Sequence, residues 1–65
     1  MLMNKKTYRP FPQYVPTDGQ ACYVVRFVRG ADALQATFNL SLWEFTSPLT
    51  ASPILAWDVV EWRPQ

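Results

Sequence analysis

The sequence predicts a mainly β protein: a small antiparallel sheet of three to four strands, an extended proline-rich N-terminal arm, and room for one short helix. Three observations carry that prediction. Leu34, Ala36, Phe38, Leu40 and Leu42 alternate with Gln35, Thr37, Asn39 and Ser41 without error, the period-two signature of a half-buried strand. The stretch "ACYVVRFVR", residues 21–29, is dominated by β-branched and aromatic side chains. Pro10, Pro12 and Pro16 crowd the N-terminal leader at spacings that forbid a helix there.

The 65 residues make one domain, an arm over 1–15 and a β body over 16–65, because two cores cannot fit in a chain of this length. A composition 49% hydrophobic, 15% aromatic and 17% charged is the reverse of a disordered chain, so the body is expected to fold. With three Trp, three Tyr and four Phe, aromatic burial must carry much of the core, each large ring bringing about 150–250 Å².

In the arm, Pro10, Pro12 and Pro16 forbid a helix and bias each preceding residue toward extended geometry. Its rings Tyr8, Phe11 and Tyr14 are expected to lie on the domain. "PTDG" then reads as a turn: Pro16 fixes φ, Asp18 closes a bond to its own backbone, and Gly19 takes positive φ. In the strand that follows, Tyr23, Val25 and Phe27 point one way and Cys22, Val24 and Val28 the other. A strand apolar on both faces belongs in the interior of a sheet or under a covering segment.

A turn through Gly30 to Ala33 makes Leu34–Leu42 the antiparallel partner, with its aliphatic face buried. "SLWEFTSP" has two readings. Ser41 and Glu44 have capping-box spacing for a helix ended by Pro48, or the chain turns near Ser41 and returns through Trp43 and Phe45. The second is favoured, since any helix there has barely a turn. "TSPLTASP" is a loop whose Ser52-Pro53 suits a helix start over "ILAW". "WDVVEW" reads as the closing strand, with Val60 and Trp62 on one face, Trp57 and Val59 on the other, and Pro64 as its stop.

"PTDGQACYVV", "ATF" at Ala36 to Phe38 and "VVEWRP" together resemble short phage- and prophage-borne proteins that pair P-x-D-G-x before a strand with a closing W-x-P. The resemblance spans residues 16 to 64. It implies a compact antiparallel sheet from a mobile element and supplies no catalytic residue. The proline-rich arm and "SPLTASPILAW" depart from the pattern.

Most chemistry is excluded by composition. The chain has no histidine, which removes Ser-His and Cys-His pairs and nearly every zinc or copper site. Cys22, the single cysteine, sits in an apolar strand as a buried thiol. Asp58 and Glu61 are too few for a hard-cation cage, and Gly19 and Gly30 make no phosphate-cradling loop. The expectation is a protein that is not an enzyme and takes no cofactor or metal.

A domain this small without disulfides suits a reducing cytoplasm, and "MLMNKKTYRPFP" has no apolar h-region. Net charge is +1, with Lys5, Lys6 and Arg9 at the start and Glu44, Asp58 and Glu61 near the end. Trp43 and Trp57, with Glu44, Asp58 and Glu61 as an acidic rim, form the candidate partner-binding set, suited to a basic groove on a larger host protein. With the phage resemblance, the concrete version is an inhibitor of a host defence complex, of the anti-CRISPR kind, acting by surface blocking. Core packing is the plainer use of each tryptophan. Two other readings stand beside it: a nucleic-acid-binding arm built from Lys5, Lys6, Tyr8, Arg9 and Phe11, and a structural component that self-associates. No membrane partner is expected, because no stretch approaches the roughly 18 apolar residues of a span.

Overall fold

The computed structural model describes residues 7–50 and 52–65. Its strands are β1 (Arg9–Pro10), β2 (Ala21–Arg26), β3 (Leu34–Asn39), β4 (Glu44–Thr46), β5 (Ile54–Leu55) and β6 (Val59–Pro64). They form one open sheet in the order β1-β6-β2-β3-β4-β5, with every neighbouring pair antiparallel. The stretch Ile54–Trp57, which the sequence leaves open to a short helix, is strand β5 running into a single 3-10 turn, Ala56–Asp58.

That makes six strands against the three to four the sequence predicts. The extra two are the two-residue edge strands β1 and β5, too short to show a period. Each lies next to prolines, which suits an edge because an edge strand does not need every backbone donor.

A short connection curls the sheet. Flat, β5 and β6 would be four strand spacings apart, about 19 Å at roughly 4.8 Å each. The 3-10 turn advances about 2 Å per residue, so it reaches only roughly 8 Å from Leu55 to Val59. The strands must therefore wrap around their inner face, where the core forms.

Register brings the core residues together: Cys22 faces Ala36, Val24 faces Trp62, and Phe38, Phe45 and Ile54 stand in one cross-strand row. All are buried, with Phe11, Ala56 and Val59. Phe38 and Phe45 meet at 4.9 Å between ring centroids, and Phe11 lies against both at 6.4 and 5.7 Å. Edge-to-face contacts of this kind add to area burial.

The arm is thus part of the fold. Arg9 and Pro10 pair with Trp62 and Glu61, and the Phe11 N–H donates to the Val60 carbonyl at 3.0 Å. The Trp62 indole N–H donates to the Tyr14 carbonyl at 2.8 Å, closing the seam from the other side.

Four sequence expectations change. β2 stops at Arg26, because Phe27 has φ 70 and leaves the extended region. β3 ends at Asn39, so Leu40 and Leu42 are exposed rather than buried. The Asn39 side-chain oxygen accepts from the Leu42 N–H at 3.0 Å and the Ser41 hydroxyl at 3.2 Å, which builds a turn where the alternation continues on paper. Asp18 accepts from the Leu40 N–H at 2.9 Å and so bridges two turns instead of closing on itself. Finally, Val25 pairs with Glu61 and Arg26 with Val59, leaving Val60 as an extra residue. This bulge returns Val59 to the inner face beside Trp62, against the predicted parity.

On the outer face, the Arg63 guanidinium lies 4.3 Å from the Tyr23 ring centroid and 5.6 Å from that of Tyr8. The Gln35 amide donates to the Tyr23 hydroxyl at 3.4 Å. Val25 is buried on this face too, where the 27–33 loop is tied down by a Gly30 N–H bond to Glu61 Oε2 at 3.3 Å.

Candidate functional site

The tight turns at either end of the inner face bring the unusual features of the chain together. The 40–43 turn ends on Trp43, whose φ of 53 is in the left-handed region. The Trp43 carbonyl accepts from the Ala56 N–H at 3.1 Å, which pins the 3-10 turn against it. Trp57, carried by that turn, stands over Trp43 with ring centroids 5.7 Å apart, and is 76% exposed. Trp43 also touches Phe11 and Phe38, so it is half core and half pedestal. Its indole Nε1 is buried without a hydrogen-bond partner among the described residues, an arrangement that costs about 1–3 kcal/mol.

The other side is built by the end of β2. The Val28 N–H donates to the Arg26 carbonyl at 2.7 Å across Phe27, a γ-turn of the rarer, positive-φ hand. The Phe27 N–H donates to the Asp58 carbonyl at 2.8 Å, tying this turn to the residue after Trp57. Phe27 is 65% exposed, with the Arg26 guanidinium 5.4 Å from its ring centroid. Val28, Leu42 and Leu55 are exposed around these two turns. Holding bulky residues at positive φ costs of order 1–3 kcal/mol each, and such strain gathers where backbone geometry serves function.

Of the residues singled out in the sequence, Trp43, Trp57 and Asp58 come together here, and Glu44 lies opposite Leu55 across the β4–β5 pair. Glu61 does not join them; it sits on the outer face, holding Gly30. Phe27, Leu42 and Leu55 were not singled out. Leu42 was hidden by an alternation that ends three residues early, and nothing in "VVRFVRG" marks a γ-turn.

The basic-aromatic arm is used differently from the nucleic-acid reading. Phe11 is in the core, where its ring is not available to a base. The Arg9 guanidinium lies 5.1 Å from the Trp62 ring centroid, and Tyr8 lies under Arg63. Lys5 and Lys6 lie outside the described residues. Burial pushes the Cys22 thiol up to about 11, with Arg9 pulling weakly the other way. Its Sγ donates to the Gln20 carbonyl.

Among the described residues, no cluster of three or more His, Cys, Asp or Glu is placed to hold a metal, and no helix is long and apolar enough to cross a membrane. No family model, curated protein or solved structure matches the chain.

Proposed function

We propose that this protein is a non-catalytic binding module that inserts Trp57 into an apolar, basic-rimmed pocket on a larger protein. The exposure of Trp57 carries the reading. A ring of this size left 76% exposed in a chain that has to win stability from aromatic burial is a large sacrifice of apolar area. Tryptophan is also the residue most enriched at interface hot spots. Phe27, Val28, Leu42 and Leu55 supply the surrounding apolar contacts, and Glu44 and Asp58 the negative rim.

The absence of histidine and a thiol held protonated at neutral pH support a role without catalysis. A free buried cysteine suits a reducing cytoplasm. Blocking a surface of a host defence complex is the form of this role that the resemblance to phage-borne proteins supports.

The experiment is affinity capture of bacterial proteins by the native chain, by Trp57→Ser and by Arg29→Ser as an exposed control. A partner retained by the native and control chains and lost with Trp57→Ser is expected, with affinity falling by more than about 30-fold. Identical recovery by all three chains would refute the reading. For the defence form, phage plating on an immune host should improve with the native chain and not with Trp57→Ser. Sedimentation of the chain alone detects self-association: a dimer dissolved by Trp57→Ser would replace the host partner with a second copy.

A further inference from the structure

Away from the Trp57 end, a cleft of about 500 Å³ opens between the 16–19 turn and the C-terminal end of β4. Thr37 and Thr46, cross-strand partners on β3 and β4, lie in it, with Asp18 and Asn39 on one side and Ser47 and Pro48 on the other. That volume is within the about 300–1,000 Å³ of small-organic-ligand sites and far beyond a bare ion.

The walls are fixed by bonds that occupy several backbone donors. Gly19 N–H donates to the Phe38 carbonyl at 2.8 Å, Phe38 N–H to Gln20 at 3.0 Å, and Leu40 N–H to Asp18 Oδ1 at 2.9 Å. Ser47 is 5% exposed, and its Oγ takes the Leu49 N–H at 3.1 Å. The second Asp18 oxygen and the hydroxyls of Thr37 and Thr46 have no protein partner among the described residues. The Asn39 oxygen is occupied by the next turn, so its amide nitrogen is the one spare amide donor. Among the described residues, Asp18 is the only charged one in the lining. A lining rich in acceptors, with one uncompensated carboxylate, selects a ligand that donates and carries positive charge.

We propose that this cleft binds a compact alkylammonium group, with the ammonium between Asp18 and the Thr37 and Thr46 hydroxyls and the alkyl chain against Pro48. The cleft and the Trp57 surface meet at the 40–43 turn, which Asp18 and Asn39 hold, but they present different side chains, so binding at each is read separately. Two sources share this chemistry, a free small amine and the side chain of a lysine on another polypeptide.

The test is a backbone-amide NMR titration of the whole chain with putrescine, with Nα-acetyl-lysine N-methylamide, whose ε-ammonium is free, and with butanediol as the neutral isostere. Saturable shifts at Gly19, Thr37, Leu40 and Thr46 are expected with at least one amine, and the tighter of the two identifies the source. Asp18→Asn keeps the oxygen that holds Leu40 and removes the charge; it should weaken binding by on the order of tenfold, the scale of a charge-assisted bond. Asp32→Asn, at an exposed carboxylate outside the cleft, should leave binding unchanged. The proposal is overturned if butanediol binds as tightly as the amines, if neither amine saturates, or if Asp18→Asn binds like the native chain.

Discussion

Trp62 and Trp57 are five residues apart and built into opposite kinds of environment. Trp62 is buried, its indole N–H is bonded to Tyr14, and a guanidinium caps its ring. Trp57 is mostly in water, and the tryptophan beneath it keeps a buried N–H with no acceptor among the described residues. Around Trp62 the polar groups of arm and sheet are paired; around Trp57 two bulky residues sit at positive φ. The first region has its polar groups bonded across the seam and holds the fold. The second breaks several at once, and its breaches converge on one exposed ring, which is the pattern of a surface shaped for something outside the molecule.

The contrast is sharpest where the core is cut. Phe38→Ala removes a ring that touches Phe11, Trp43 and Phe45, and should cost about 3–5 kcal/mol. That is most of what a chain this short can have, so urea melts should show the variant largely unfolded in water. Trp57→Ser should shift the same melt by no more than about 1.5 kcal/mol, the scale of one aromatic pair. Equal losses would mean that Trp57 serves the fold as much as Phe38 does.

Cys22 gives a second cut, by pH. The thiol is pushed from 9.0 to about 11 in the fold, so above pH 9 the unfolded chain releases a proton that the folded chain keeps. Stability from this group is fully present below pH 9 and is lost as pH rises to 11. At about 1.4 kcal/mol per unit the loss is on the order of 2–3 kcal/mol. It is read as the difference between the native chain and Cys22→Ala, which leaves the other titrating side chains in place. Parallel profiles would show that the thiol reaches solvent.

Trp62→Phe is milder. It keeps an aromatic body under Arg9 but strands the Tyr14 carbonyl, and should cost about 1–3 kcal/mol in the same melts. Hydrogen exchange should also quicken at the Phe11 and Tyr14 amides, whose bonds hold the arm. Unchanged exchange there would show that the arm is held by Phe11 alone.

What the sequence made legible divides along the same line. The half-buried alternation of β3, the two apolar faces of β2 and the closing strand follow from periodicity, which is a local property of a chain lying in a sheet. β1 and β5 were not readable, since two residues have no period. The parity of Val59 and the exposure of Leu40 and Leu42 were hidden for a different reason. Each depends on a single partner, the bulge against Arg26 in one case and the Asn39 and Asp18 side chains in the other. Trp43 and Trp57 were visible as candidates by residue type alone. Phe27 was not, because its exposure comes from a γ-turn that no residue in its neighbourhood encodes.

Phe27 therefore carries the smallest effect on stability and the cleanest separation of fold from function. Glycine at this position tolerates φ 70, so Phe27→Gly relieves strain of about 1–2 kcal/mol while adding about 0.5–1 kcal/mol of backbone entropy to be lost on folding. The N–H to Asp58 remains, and the ring being deleted is mostly in water. The balance is a gain of between zero and about 1.5 kcal/mol. Partner capture should fall all the same, because the proposed docking surface includes the Phe27 ring. A variant clearly less stable than the native chain would mean that Phe27 packs on the fold. A variant that bound normally would confine the docking surface to Trp57, Leu42 and Leu55, and the strain at Phe27 would then need a cause other than binding.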